Sequence, residues 1–202
     1  MVQKKPGRPR KFERDVALNG AVEVFWAKGF EGASLDDLTH AMGINRPSLY
    51  ATFGDKQALF LSALEQYGKG VGTDPLRAFD AATSAKAAVQ AFLETALRNN
   101  TRSGSAAKGC LFACCAATVA EANPEVQAFL KNGMLSAEKH LEDGLERFKK
   151  RGDLPPTYPA DAKARLMMDM MQGQAFRARA GESREKLLAD LPARLGEIVP
   201  VK

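Results

Sequence analysis

"SLDDLTHAMGINRPSLYATFGDK", residues 34–56, places three helix starts within one short stretch. Ser34 followed three residues later by Asp37 is close to a capping box, and Asp36 and Asp37 complement the positive end of a helix dipole. Leu35, Leu38 and Met42 then recur at helical spacing, and Gly43 stops the pattern. After the single apolar Ile44, Asn45 can cap a new helix, whose first turn tolerates Pro47 because the missing N–H would have no intrahelical partner there. Asp55 caps a third, longer helix that starts at Lys56.

Two short helices joined by a tight glycine-containing turn form a helix-turn-helix, in which the second helix is the one offered to a DNA major groove. Leu49 and Phe53, four residues apart, face inward, leaving Arg46, Ser48, Tyr50 and Thr52 on or near the opposite side. These supply a bidentate guanidinium, hydroxyls for phosphates or base edges, and an aromatic for a sugar or a thymine methyl. Ala51 keeps the outer face low. Lys56 can reach a flanking phosphate at a helix N-terminus. An ordinary solvated helix would favour Glu and Lys over Ser, Thr and Tyr.

Upstream, Leu18, Ala21, Val24 and Phe25 mark a helix from about Glu13 to Lys28, with Gly29 as its C-terminal cap. Before it, Lys4, Lys5, Arg8, Arg10, Lys11 and Arg14 face only Glu13, which accounts for the whole chain's net charge of +5. A basic arm interrupted by Pro6, Gly7 and Pro9 cannot fold alone and suits an anionic partner. Its Gly7–Arg10 segment is similar to the core of AT-hook peptides.

The stretch from Ala17 to Tyr67 resembles the amino-terminal domain of TetR/AcrR-type transcriptional regulators in its Gly29-Phe30 pair, its Leu49-Tyr50 pair, Phe53 and the capped Lys56. "QGQAFRARAGESREKL", residues 172–187, is similar to the junction between the last two helices of many members. By position, the resemblance implies DNA contacts from Ser34, Asn45, Arg46, Pro47, Ser48, Tyr50, Thr52 and Lys56. It departs at Leu35 and Asp36, where members often carry Thr and a basic residue. The resemblance also implies an effector cavity in the second domain and a dimer formed by the last two helices. A palindromic operator follows, because one recognition helix reads too few base pairs while a two-fold dimer presents two.

The expected fold is all-α, with about nine helices: an N-terminal three-helix DNA-binding domain with a helix-turn-helix and a larger C-terminal helical domain for effector binding and dimerisation. The boundaries are set at 1–12 for the arm, 13–56 for the DNA-binding domain and 57–202 for the remainder. Gly68, Gly70, Gly72 and Pro75 end the fourth helix; Val89, Phe92, Leu93 and Leu97 stripe the next. A further helix begins near Cys110; Asn123-Pro124 starts a long one running to about Arg151. Helices over about 160–180 and 183–199 close the chain.

Cys110, Cys114 and Cys115 lie close together on a helix; they are small packing residues, or thiols that sense oxidants or electrophiles, and no fourth metal ligand is apparent. Their odd number suits a reducing compartment and, with no stretch of some 20 apolar residues, a cytoplasmic location without membrane contact is expected. Met167 and Met171 fall at core or pocket spacing. No catalytic constellation, metal site or cofactor motif is visible. The expected function is a ligand-responsive regulator, a repressor that binds a palindromic duplex operator as a homodimer and is released by a small effector. Thiol-based sensing through the three cysteines and an effector-independent architectural DNA-binding role remain alternatives.

Overall fold

The computed structural model describes residues 10–102 and 107–199. Their regular secondary structure is all helical, without a strand, and they divide into two compact units at Lys69/Gly70. In the first, α1 (Arg10–Gly32), α2 (Leu35–Met42), α3 (Arg46–Phe53) and α4 (Lys56–Tyr67) follow one another with minimal connections. The sequence set the domain boundary after Lys56; α4 instead packs along α1 within the first unit.

Aromatic rings hold that unit together. Phe25 of α1 meets Phe60 of α4 edge to face at 4.8 Å, and Trp26 meets Tyr67 in the same way at 5.1 Å. Phe25, Phe60, Leu38, Leu49 and Leu59 are fully buried. Rings at these separations add roughly 0.5–1.5 kcal/mol per pair beyond the area they bury. Where α1 crosses α2, Gly20 is required by contact: a Cβ there would overlap the Ala41 carbonyl. Gly29, expected as a cap, adopts φ 72° and breaks helical geometry inside α1, after which the chain turns on to Gly32. Phe30, just past that break, lies 5.1 Å from the Phe60 ring, so apolar packing holds the last turn in place.

A π-helical turn, Gly68–Gly72, follows α4, with Gly70 outside helical geometry. The second unit then contains α5 (Asp74–Asp80), α6 (Ala85–Asn100), a π-helical turn Phe112–Ala116, a 3₁₀ turn Ala117–Val119, α7 (Pro124–Lys150), α8 (Ala160–Arg179), α9 (Arg184–Ala189) and α10 (Leu191–Ile198). Val89, Phe92, Leu93 and Leu97 are all buried on α6, as their spacing predicts. They pack in clusters with Leu141, Leu145 and Phe148 of α7, Met167 and Met168 of α8, and Leu187, Leu191, Leu195 and Ile198 near the carboxyl end. Two details differ from expectation. The segment after Cys110 is a π turn, not a regular α-helix, and the final helix is split at Asp190. Pro192 accounts for the split, since it lacks an N–H and its ring crowds the carbonyl four residues back.

Candidate nucleic-acid interface

The geometry of the site begins with its caps. Ser34 Oγ accepts from the Asp37 N–H at 3.0 Å, while the Asp37 carboxylate accepts from the Ser34 N–H at 3.1 Å, a complete capping box. Lys28 of α1 donates to the same carboxylate at 2.6 Å. The Lys28 ammonium and the Ser34 donors hold the Asp37 carboxyl below the usual aspartate range, at about 2. Gly43 then turns left-handed at φ 65°, and its N–H bonds back to the end of α2. Asn45 Oδ1 accepts from the Ser48 N–H at 2.9 Å and starts α3, with Pro47 in the first turn. Asp55 caps α4 through the Ala58 N–H at 2.8 Å.

These caps fix α3 on its buried residues. Leu49 is fully enclosed and Phe53 nearly so, with the Arg14 guanidinium 5.0 Å from the Phe53 ring centre. Arg46, Pro47, Ser48, Tyr50, Ala51 and Thr52 are all exposed; Tyr50, at 50% exposure, is a large aromatic standing in solvent.

Three residues named from the sequence already have partners. Ser34 and Asn45 use their side chains as caps. Arg46 is bound to Asp36, Nη2 at 2.7 Å and Nε at 3.2 Å from one carboxylate oxygen. This ion pair across the helix-turn-helix was missed in the sequence, although Asp36 stood out as a departure from the family pattern. Lys56 is half-buried, with its ammonium 4.7 Å from the Phe30 ring centre, a cation–π contact at the start of α4. Lys4, Lys5 and Arg8 lie outside the described residues, and Arg10 opens α1.

The second unit holds the other named residues. Cys110 and Cys115 are buried and Cys114 is half-buried. Burial pushes the Cys114 thiol up and the Cys115 thiol up to about 11, despite the Arg179 charge nearby. Thiolate is therefore scarce at neutral pH. Met167 is fully buried and Met171 half-buried, both against the core. Among the described residues, no His, Cys, Asp or Glu cluster is arranged to hold a metal ion, and no helix is long and apolar enough to cross a membrane.

Comparison with known proteins agrees with this geometry. Residues 17–63 match the family model described as bacterial regulatory proteins of the tetR family. The chain is 31% identical over 188 residues to the HTH-type transcriptional repressor ComR of Escherichia coli, covering 93% of this chain and 89% of that protein. It is 31% identical over 195 residues to the repressor BdcR of the same organism, covering 94% and 92%. Among solved structures, a cysteine mutant of the TetR family transcriptional regulator CifR, complexed with 26 bp double-strand operator DNA, superposes with a TM-score of 0.83. That match has 34% identity and covers 93% of this chain and 98% of CifR. With the capped helix pair, the exposed α3 face and near full-length similarity to named repressors, the chain belongs to the TetR family of bacterial transcriptional regulators.

Proposed function

We propose that this regulator represses transcription by binding a two-fold symmetric duplex operator as a homodimer, and that a small effector held in the second unit releases it. The observation that carries the reading is the outward face of α3: Ser48, Tyr50 and Thr52 stand exposed over a buried Leu49 and Phe53. Hydroxyls and a phenol on a rigidly backed helix suit base edges and phosphates. Arg46, freed from Asp36, adds a guanidinium with the fork geometry that pairs with guanine. Lys4, Lys5, Arg8 and Arg10 follow the phosphate backbone, contributing salt-dependent affinity without sequence information.

A second copy is the expected partner for the carboxyl-terminal surface. Phe176 of α8 is 71% exposed and Leu188 of α9 is 38% exposed in the single chain. Pairing these helices with their symmetry mates buries both and presents two α3 helices one DNA turn apart, roughly 34–36 Å. Effector release is then a coupled equilibrium: a ligand that prefers the arrangement with α3 out of register weakens operator binding by the factor it gains. α4, joined in sequence to the second unit through Gly68–Gly72, is the element that carries the change.

Sedimentation equilibrium combined with operator titration tests the assembly. Two protomers per operator are expected, and Phe176→Glu is expected to yield a folded monomer with at least tenfold weaker operator binding. A Phe176→Glu protein that remains dimeric and binds normally would contradict the assignment of that surface.

A further inference from the structure

α2 opens with two adjacent acids that are used differently. The Asp37 carboxylate is engaged within its own cap, accepting from Lys28 Nζ at 2.6 Å, Ser34 Oγ at 2.7 Å and the Ser34 N–H at 3.1 Å. Asp36 takes no part in that capping box. Its side chain is 78% exposed, and its Oδ1 accepts from Arg46 at the first turn of α3. An acid in the first turn suits the helix dipole, but Asp37 already fills that role.

The pair leaves both partners able to turn outward. Nε and Nη2 of Arg46 meet the same oxygen, at 3.2 and 2.7 Å, and both side chains are largely exposed, so separating them costs little.

Facing a duplex, the two side chains have opposite needs. Arg46 carries only donors, and the major groove offers acceptors at guanine N7 and O6, adenine N7 and thymine O4. An ionised aspartate carries only acceptors and is repelled by the phosphates. The donors open to it in the major groove are the N4–H2 group of cytosine and the N6–H2 group of adenine. A guanidinium bonded to guanine O6 and N7 lies beside the cytosine paired with that guanine, whose N4–H2 group is on the same groove edge. Two side chains 2.7 Å apart in the free protein are thus matched to the two halves of one base pair.

We infer that Asp36 is a specificity-determining residue. When Arg46 turns from Asp36 to a guanine, the Asp36 carboxylate accepts from the N4–H2 group of the cytosine opposite, so the two side chains read one G·C base pair in each half-site. At a base pair with no donor in that place, the carboxylate is left against acceptors and phosphates. Asp36 therefore weakens binding in general and discriminates by costing least at the right base pair. The inference rests on the reading of DNA by α3 described above and adds to it a residue of α2.

Selection from a library of randomised duplexes tests this, with full-length wild type, Arg46→Ala, Asp36→Ala and Asp36→Asn, followed by anisotropy titration of the selected duplex and its single base-pair substitutions. The wild type is expected to prefer G·C at one position per half-site by about tenfold or more. Arg46→Ala and Asp36→Ala should both relax that same position to within about threefold and leave the rest of the motif unchanged. Asp36→Asn loses the charge but keeps an acceptor oxygen, so it should bind all duplexes more tightly with a weakened preference. An Asp36→Ala protein that gains affinity for every duplex by one common factor and keeps the wild-type preference would overturn the inference, reducing Asp36 to a charge. So would an undiminished preference in Asp36→Asn, or relaxation of different positions by Arg46→Ala and Asp36→Ala. A motif lost in Tyr50→Ala/Ser48→Ala but untouched in Asp36→Ala would retain the α3 reading and overturn the part given to Asp36. A wild type that selects no symmetric motif would remove the α3 reading and this inference with it.

Discussion

Arg46 and Asp36 form an ion pair across the helix-turn-helix, joining the first turn of α3 to the first turn of α2 at 2.7 Å. Both side chains are largely exposed, at 55% and 78%, so the pair adds at most about 1 kcal/mol to stability. For the proposed DNA reading the pair matters in another way: the guanidinium assigned there to a guanine is held by a carboxylate on the same surface.

Asp36→Asn is therefore expected to tighten binding to any duplex by roughly threefold to tenfold at low salt, through loss of repulsion and release of Arg46. Arg46→Ala should weaken specific binding, and the double variant should lose the gain that Asp36→Asn confers. Anisotropy titrations over a range of salt concentrations check this. Equal affinities for wild type and Asp36→Asn at low salt would show that the pair does not restrain Arg46.

The basic arm gives a counting prediction. Removing residues 1–9 deletes Lys4, Lys5 and Arg8. If each neutralises a phosphate, the slope of log affinity against log salt should become shallower by about 3. An unchanged slope would mean the arm does not lie on DNA.

Gly20 tests the packing that supports the site. Because a Cβ there overlaps the Ala41 carbonyl, Gly20→Ala is expected to cost about 1–3 kcal/mol and to displace α2 from α1. Gly133→Ala in α7, where nothing lies within 4 Å, should instead stabilise by about 0.4–1 kcal/mol. Urea midpoints of the two variants should move in opposite directions; an unchanged or raised midpoint for Gly20→Ala would refute the contact.

Asp37 gives a pH signature. Its folded carboxyl titrates at about 2, below the ordinary value of 3.8, because of Lys28 and Ser34. A depressed folded value means the native state favours the charged form, so the stabilisation is present above about pH 4 and is lost as pH falls toward 2. Wild type and Asp37→Asn should differ in urea midpoint at pH 6 and converge near pH 2. A constant difference across that window would show that the charge is not what matters.

The thiols can be tested chemically. With Cys115 pushed up to about 11 and Cys114 raised by burial, native protein at pH 7 should react slowly with iodoacetamide and fully only after denaturation. Rapid alkylation of the native protein with loss of operator binding would instead favour a sensing role for Cys110, Cys114 and Cys115.

The helix-turn-helix was legible because its signals are local. Ser34, Asn45 and Asp55 each cap a helix with their own side chains, and Leu49 and Phe53 lie one turn apart. The α6 stripe was legible for the same reason. What escaped depends on contacts distant in sequence: α4 joins the first unit through Phe60 and Phe25, and Lys56 settles over Phe30. The spacing of Gln174 with Met167 and Met171 reads as core and it is buried, but periodicity does not show whether a buried amide has a hydrogen-bond partner. Breaks at Pro192 and within the cysteine segment are set by the packing of single residues, which hydrophobic period alone does not resolve.

Selection of bound fragments from genomic DNA, carried out in parallel with wild type and Tyr50→Ala/Ser48→Ala protein, tests the role of α3 most directly. Wild type should enrich one two-fold symmetric sequence with half-sites about 10 base pairs apart, centre to centre. The double variant should remain folded, retain salt-sensitive nonspecific binding and lose that sequence. Enrichment of the same sequence by the variant with undiminished affinity would contradict DNA reading by the exposed face of α3.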